Sequence, residues 1–202
     1  MDARSHDGEA IAASLRTPAS FAAIFDRHYD VLHGYLQRQA GADVADEVAS
    51  QTFLVAFDRR GRFDLTRASA RPWLFGIAVN LLRHHYRGVR RQLRAYERTG
   101  VDPVADAFDG LEARVDAAAM GRALAAALAR LSVEEREVLL LYAWADLTYT
   151  EIAETLGLPV GTVRSCLHRA RGRVRELLEG DRASTGAAPR PVRGEEQWTR
   201  SS

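Results

Sequence analysis

A short capped helix, a glycine–proline turn and a second helix follow one another in residues 148–177, and this order constrains the fold more than any other feature. Thr148-Tyr149-Thr150-Glu151 is a capping box, which predicts a helix that ends at Gly157. After Pro159, apolar residues recur at i, i+4, i+7, i+11 and i+14, namely Val163, Leu167, Ala170, Val174 and Leu177. The pattern predicts a helix-turn-helix.

The second helix of this motif has a basic face. Arg164, His168, Arg171 and Arg175 recur at helical spacing, with Ser165 and Arg169 beside them. Like charges four residues apart destabilise a helix by roughly 0.2–0.5 kcal/mol per pair, and bound phosphate would offset this repulsion. A solvated basic face is the alternative explanation. The capped helix and tight turn that precede it favour binding to duplex DNA.

The overall composition narrows the class of protein. The formal net charge is only +1, but acidic and basic residues are strongly segregated along the chain. The chain contains arginine and no lysine. The single Cys166 excludes an internal disulfide and fits a reducing cytoplasm. No apolar run is long enough to cross a bilayer, and residues 1–16 do not resemble a signal peptide. We therefore expect a cytoplasmic protein with no membrane partner.

Helical periodicity recurs along the chain and strand signals are almost absent, so we predict an all-α fold of two small helical bundles. Residues 18–96 are expected to form the first bundle, and residues 118–179 the second, which contains the helix-turn-helix. Residues 97–117 are predicted to be an acidic flexible linker, with Asp102, Asp106, Asp109, Glu112 and Asp116. Disordered tails are expected at residues 1–17 and 180–202.

The first bundle has a basic helix of its own, expected from Pro72 to Arg91 or beyond. Its exposed side carries Asn80, His84, Arg87 and Arg91, and Trp73, Tyr86 and Tyr96 are interleaved with the arginines. This mixture suits single-stranded or distorted nucleic acid, because bases stack on the rings while the charges follow the backbone. For Trp73, ordinary core packing is an equal alternative. His84-His85 has no further ligands at metal spacing, so we expect no metal and no cofactor.

The preceding helix, expected at about residues 43–59, is acidic. Asp43, Glu47, Ser50, Leu54 and Asp58 share one of its faces. A face that mixes carboxylates with an exposed leucine is unsuited to DNA. It is either solvated or docks a basic surface of a protein partner.

Together these helices resemble the extracytoplasmic-function (ECF) group of the sigma-70 family of bacterial RNA polymerase sigma factors. The resemblance covers roughly residues 20–95 and 118–178. The sequence Asp46-Glu47-Val48-Ala49-Ser50-Gln51-Thr52-Phe53 is similar to the family's polymerase-binding helix. Pro72-Trp73-Leu74-Phe75-Gly76-Ile77-Ala78-Val79-Asn80 resembles the helix that reads and opens the −10 element, and Leu158-Pro159-Val160-Gly161-Thr162-Val163-Arg164-Ser165 resembles the −35 recognition helix.

The resemblance implies promoter-specific transcription initiation, without catalytic residues. Core RNA polymerase, through its β′ clamp and β subunit, would be bound by Asp43, Asp46, Glu47, Gln51 and Phe53. The melted −10 strand would be held by Trp73, Asn80, His84, Arg87 and Arg91, with the connection from Arg60 to Ala70. The −35 element of promoter DNA would be contacted by Thr162, Arg164, Ser165, His168, Arg169 and Arg171. An anti-sigma factor is a further partner that the family commonly has.

One position departs from the family's pattern. Many relatives carry a basic residue where this chain has Cys166. We therefore expect the cysteine to weaken a backbone contact or to alter the preferred −35 sequence.

Two other functions remain as alternatives at this point. A conventional transcription regulator, with a sensing or dimerising N-terminal domain, would bind an operator tightly without polymerase. A nucleic-acid enzyme is disfavoured, because we find no paired carboxylates in a cleft-forming context, no nucleophile with a partner and no phosphate loop.

Overall fold

The computed structural model describes residues 7–67, 69–99 and 122–185. All regular structure within these residues is helical, which confirms the predicted all-α fold. Two 3-10 turns, which are not numbered, cover Pro18–Phe21 and Arg60–Arg62. The α-helices are numbered in chain order. The helices are α1 (Asp7–Ser14), α2 (Ala22–Ala40), α3 (Ala42–Arg59), α4 (Arg71–Thr99), α5 (Arg122–Ala129), α6 (Val133–Trp144), α7 (Tyr149–Leu156) and α8 (Val160–Thr185).

Helices α2, α3 and α4 form the first bundle. Only Gly41 separates α2 from α3, and its φ of 81° is a conformation that glycine adopts without a steric penalty. Fully buried side chains from α2 and α4 meet in the core, where the rings of Tyr35 and Phe75 pack edge to face with centroids 5.2 Å apart. The tight junction at Gly41 thus sets α3 antiparallel to α2.

The prediction of a disordered tail is wrong from residue 7 onward, because α1 packs on the first bundle. Ile11 is fully buried. The Asp7 carboxylate accepts hydrogen bonds from Arg27 (3.0 Å), His28 (2.8 Å) and the backbone N–H of Ala70 (2.9 Å). Burial raises the pKa of Asp7, but these donors, led by His28, outweigh it and lower the pKa to about 2. Asp7 therefore ties α1 to α2 and to the start of α4.

Helix α4 is longer than predicted. It continues to Thr99, so the first three residues of the predicted linker, 97–99, are helical. The remainder of that linker and the predicted start of the second bundle at residue 118 lie outside the described residues.

Helices α5 to α8 form the second bundle. Capping boxes open α6 at Ser132 and α7 at Thr148; in each, the hydroxyl accepts from the N–H of the glutamate three residues on, whose carboxylate accepts in return from the N–H of the cap. Gly157 ends α7 with a φ of 67°, and α8 begins at Val160. The predicted helix, turn and helix are all present.

The prediction of a disordered tail from residue 180 is wrong for residues 180–185, because the backbone of α8 remains helical through Thr185. Residues 186–202 lie outside the described residues.

The two bundles pack directly against each other, which the sequence did not predict. The Thr155 hydroxyl on α7 donates to the carbonyl of Pro72 at 3.2 Å, and Arg71 donates to the carbonyl of Ala145 at 2.5 Å. A Cβ added to Gly76 would lie 3.2 Å from the Thr155 carbonyl oxygen. The missing side chain of Gly76 therefore permits the close approach of α4 to α7.

Two ion pairs also join the bundles. Arg67 Nη1 lies 3.0 Å from Glu154 Oε2, and both side chains are about 40% exposed. Arg83 binds both carboxylate oxygens of Glu137, with Nε to Oε1 at 2.7 Å, and only 11% of the Glu137 side chain is exposed. Since exposed pairs contribute little to stability, the bidentate and more buried pair is the stronger connection.

Candidate nucleic-acid and protein interfaces

Helix α8 exposes the basic face predicted for it. The exposed side chains include Arg164, Ser165, His168, Arg169, Arg171 and Arg175, and Thr162 is half-buried in the first turn. The side that faces the bundle buries Val163, Cys166, Leu167 and Ala170. The helix therefore anchors one side in the core and presents cationic and small polar groups to solvent on the other.

The turn before α8 is fixed by backbone hydrogen bonds. The N–H of Leu158 donates to the carbonyl of Ala153 at 3.0 Å. The carbonyl of Pro159 accepts from the N–H groups of Thr162 and Val163 at 2.9 and 3.1 Å. These bonds set the direction in which α8 leaves α7, which is what a recognition helix needs in order to enter a groove.

Two arginines of α8 are bonded to the protein itself. Arg169 Nε donates to Glu135 Oε1 at 3.0 Å, and Arg173 Nη1 donates to Glu135 Oε2 at 2.6 Å. Glu135 is 4% exposed and also accepts from the N–H of Ser132. Burial raises the pKa of Glu135, but the bonds from Arg169 and Ser132 and the charge of Arg173 hold it below its ordinary value. Arg169, predicted as a DNA contact, thus also has a structural role.

Two further side chains of α8 are oriented by local contacts. The Arg171 guanidinium lies 4.8 Å from the centroid of the Tyr142 ring, a cation–π contact at the surface. The Ser165 hydroxyl donates to the carbonyl of Gly161 at 3.0 Å, so its oxygen is left as an acceptor. The contact with Tyr142 orients the Arg171 guanidinium at the surface, where a phosphate could reach it. The Ser165 oxygen can accept a hydrogen bond from a base or a water molecule.

The expected effect of Cys166 on DNA binding stays a prediction, and the thiol itself lies in the core. Cys166 is 1% exposed and lies in the core of the second bundle, and its Sγ accepts a hydrogen bond from Arg169 at 3.3 Å. A buried thiol cannot contact DNA, so the position contributes to packing.

Helix α4 exposes the second predicted basic face. Asn80, His84, Arg87 and Arg91 all point to solvent. His84, Arg87 and Arg91 line a shallow depression together with Arg90. Arg90 was missing from the predicted set, although its spacing of three residues from Arg87 was a usable signal. The depression concentrates positive charge and suits a polyanion.

Of the two roles left open for Trp73, the structure shows core packing, and the base contact stays a prediction. It lies in the first turn of α4 and is half-buried, and its ring centroid is 5.0 Å from that of Phe63, which is 7% exposed. Packing on Phe63 fixes the indole, and its remaining surface is available beside the basic face.

Helix α3 exposes the predicted acidic face. The side chains of Asp43, Asp46, Glu47 and Gln51 are exposed. Asp46 Oδ1 lies 2.7 Å from His33 Nε2, and Gln51 Nε2 donates to Glu47 Oε1 at 3.0 Å. Short contacts therefore orient the carboxylates of Asp46 and Glu47.

Leu54 and Phe53 have opposite positions on α3. Leu54 is 62% exposed and places an apolar group on the acidic face. Phe53 is 6% exposed, and its ring centroid lies 4.9 Å from that of Phe25. The Phe53 ring therefore supports the acidic face from inside the bundle, and its role in polymerase binding stays a prediction.

Neither a membrane segment nor a metal cluster occurs in the part of the chain that the structure describes. Its helices lack the combination of length and apolar character that crossing a bilayer requires. No group of three or more His, Cys, Asp or Glu side chains is arranged to hold a metal ion there.

Family models match both bundles. Residues 24–92 match the model described as "Sigma-70 region 2", and residues 121–174 match the one described as "Sigma-70, region 4". The first match contains the acidic face of α3 and the basic face of α4, and the second contains the helix-turn-helix.

Individual proteins are similar over most of the chain. "ECF RNA polymerase sigma factor RpoE" of Cereibacter sphaeroides is 30% identical over 167 residues, which cover 81% of this chain and 88% of the relative. "ECF RNA polymerase sigma factor SigL" of Mycobacterium tuberculosis is 31% identical over 170 residues, which cover 83% and 93%. Among solved structures, CnrH in complex with the cytosolic domain of CnrY superposes with a TM-score of 0.64 at 27% identity, covering 87% of this chain and 98% of that one.

Proposed function

Because the chain belongs to the ECF group of the sigma-70 family of RNA polymerase sigma factors, which direct transcription initiation, we propose that its three exposed faces divide promoter recognition between them. Helix α3 docks on core polymerase, at the β′ clamp, and the chain contacts the β subunit as well. Helix α4 holds the melted −10 strand, and α8 binds the −35 duplex. The proposal rests on one observation: two basic helix faces and one acidic face occupy separate exposed surfaces of the same chain.

Helix α8 has the features of a reader of duplex DNA. Arg164 is exposed near its N-terminal end, the part of a recognition helix that contacts base edges. No described carboxylate forms an ion pair with it, so its guanidinium fork is available to a guanine in the major groove. Arg171, held over Tyr142, is placed for a phosphate, and His168 lies between the two. Thr162 and Ser165 complete the contact as small polar groups.

Helix α4 has the features of a single-strand binder. The basic depression of His84, Arg87, Arg90 and Arg91 follows the backbone of the strand, while Asn80 and the exposed part of Trp73 contact a base. Taking a base out of the stack costs a few kcal/mol, which these contacts offset once polymerase adds its own.

Helix α3 has the features of a protein-docking face. Asp43, Asp46, Glu47 and Gln51 offer acceptors to a basic surface, and Leu54 offers apolar area among them. Charges steer the encounter, and the leucine contributes to affinity once it is desolvated. The same face is open to a protein that competes with polymerase. The similar CnrH chain, solved bound to the cytosolic domain of CnrY, supports an anti-sigma partner for this protein.

A reconstituted transcription assay tests the proposal. The wild-type chain is expected to bind purified core polymerase and to direct transcription from one class of promoters, which are mapped in cells that overproduce it. Glu47→Arg should lose core binding, whereas Glu9→Arg, the same charge change on an exposed residue of α1, should retain it. A wild-type chain that binds a palindromic operator tightly as a dimer and ignores core polymerase would establish the conventional regulator instead.

A further inference from the structure

A cavity of about 250 Å³ lies where the two bundles meet. Helix α2 and helix α4 line one side, and α5 and α6 line the other. Most of the wall is apolar, formed by Val79, Leu82, Leu128 and Leu140 among others. Since each bundle supplies only half of the wall, the cavity exists only while the bundles are packed together.

Two polar atoms in the wall have no well-formed hydrogen bond within the described residues. Tyr35 Oη and Gln39 Nε2 lie one turn apart on α2, both atoms are buried, and neither has a partner of good hydrogen-bond geometry there, although Gln39 is close enough to lower the pKa of the Tyr35 phenol. Tyr35 is completely buried, and this burial raises the pKa of its phenol, so the hydroxyl keeps its proton. Buried polar atoms are normally paired, and two unpaired donors in one wall indicate a missing acceptor.

The charge around the cavity is positive. Arg87, Arg90 and Arg136 line it and form no ion pair with a described carboxylate. Glu137, the acidic residue of the lining, is already bonded to Nε and Nη2 of Arg83. A ligand whose acceptor is negatively charged therefore meets a net attraction at the entrance.

We propose that this cavity binds a small amphipathic carboxylate, whose head accepts hydrogen bonds from Tyr35 and Gln39 and whose apolar part fills the space between the bundles. A cavity of about 150 Å³ admits benzene, so this one accommodates about ten non-hydrogen atoms, the size of a medium-chain fatty acid. Because the site needs both bundles, an occupied cavity stabilises their packed arrangement. The inference goes beyond the proposed function, and its test uses neither polymerase nor promoter.

Octanoate, with ten non-hydrogen atoms, is the probe. Calorimetry measures its affinity for the full chain, and carbon-13 methyl spectra report on Val79, Leu82, Leu128 and Leu140 in the cavity wall. Saturable binding that shifts these methyl signals is expected. Tyr35→Phe removes only the hydroxyl and should weaken binding about tenfold or more, because a hydrogen bond to a charged acceptor is lost. Gln39→Leu should weaken it as well, and Tyr149→Phe, a matched change on α7, should not.

Three outcomes overturn the proposal. The first is absence of octanoate binding at millimolar concentration. The second is equal binding of octanoate to wild type and to both the Tyr35→Phe and Gln39→Leu variants, which indicates adsorption elsewhere. The third is equal affinity for 1-octanol, which shows that the carboxylate is not recognised.

Discussion

Arg169 Nε lies 3.0 Å from Glu135 Oε1, and this contact separates the arginines of α8 into two groups. Arg169 and Arg173 share one buried carboxylate and join α8 to α6. Arg164 and Arg171 are exposed and have no described acidic partner, and Arg171 lies over the ring of Tyr142. A helix that looks uniformly basic in sequence thus has arginines that stabilise the fold and arginines that are available to DNA.

Substitution of one arginine from each group should separate these effects. Arg169→Ala should lower the free energy of unfolding by about 1–3 kcal/mol, because it removes a donor from the buried Glu135. Arg164→Ala should leave unfolding unchanged and lower the affinity for a −35 duplex by about 1–3 kcal/mol if the side chain reads a base. Urea unfolding and fluorescence anisotropy measure the two quantities. Unaltered stability of Arg169→Ala would show that the Glu135 contact is not structural.

The Asp7 carboxyl should make stability depend on pH in the acidic range. Its pKa is lowered in the folded chain from 3.8 to about 2, so its contribution is present above pH 3.8 and is lost as the pH falls through about 2. The difference corresponds to about 2 kcal/mol. Asp7→Asn should therefore lower the free energy of unfolding by about that amount at pH 7, and its deficit should vanish near pH 2. Asp30→Asn, the same change at an exposed position of α2, is the control and should leave the free energy of unfolding at pH 7 almost unchanged.

The folding of α1 onto the first bundle could not be predicted from local sequence signals. Periodicity and capping boxes predicted the main helices and the turn at Gly157, because those signals are local. The anchoring of Asp7 depends on His28 and Ala70, which are distant in sequence and polar, so no local pattern reports it. For the same reason, the three faces and the inward position of Phe53 on α3 were predicted from helical spacing, but the pairing of Arg169 with Glu135 was not.

Two glycines of α4 provide a test of the contact between the bundles. A Cβ at Gly88 would meet nothing within 4 Å, whereas one at Gly76 would lie 3.2 Å from the backbone of Thr155. Gly88→Ala should raise the free energy of unfolding by about 0.5–1 kcal/mol, since alanine is the better helix former. Gly76→Ala should fail to show this gain, and Gly76→Val should be destabilising. Equal stabilisation by both alanine substitutions would mean that α4 and α7 do not approach so closely in solution.

Leu54 should contribute to polymerase binding without contributing to the fold. It is 62% exposed on the acidic face of α3, so truncation removes little buried area from the free chain. Leu54→Ala should leave the unfolding midpoint unchanged and weaken binding to core polymerase by about 1–3 kcal/mol, as expected of a desolvated apolar contact. Leu15→Ala removes a leucine that is 51% exposed after the end of α1 and should retain full affinity. Biolayer interferometry with immobilised core polymerase distinguishes the two variants.

Cys166 should affect stability and not promoter choice. Its Sγ is buried beneath the exposed face of α8, where it accepts a hydrogen bond from Arg169. Cys166→Ala should lower the free energy of unfolding by about 1 kcal/mol through lost packing, and the ranking of −35 sequences in a competition assay should remain that of the wild type. The thiol should also react with a thiol-specific reagent much more slowly in the folded chain than in urea, because reaction requires local opening of the second bundle. A change in the ranking of −35 sequences with unchanged stability would contradict this prediction and show that Cys166 influences −35 recognition.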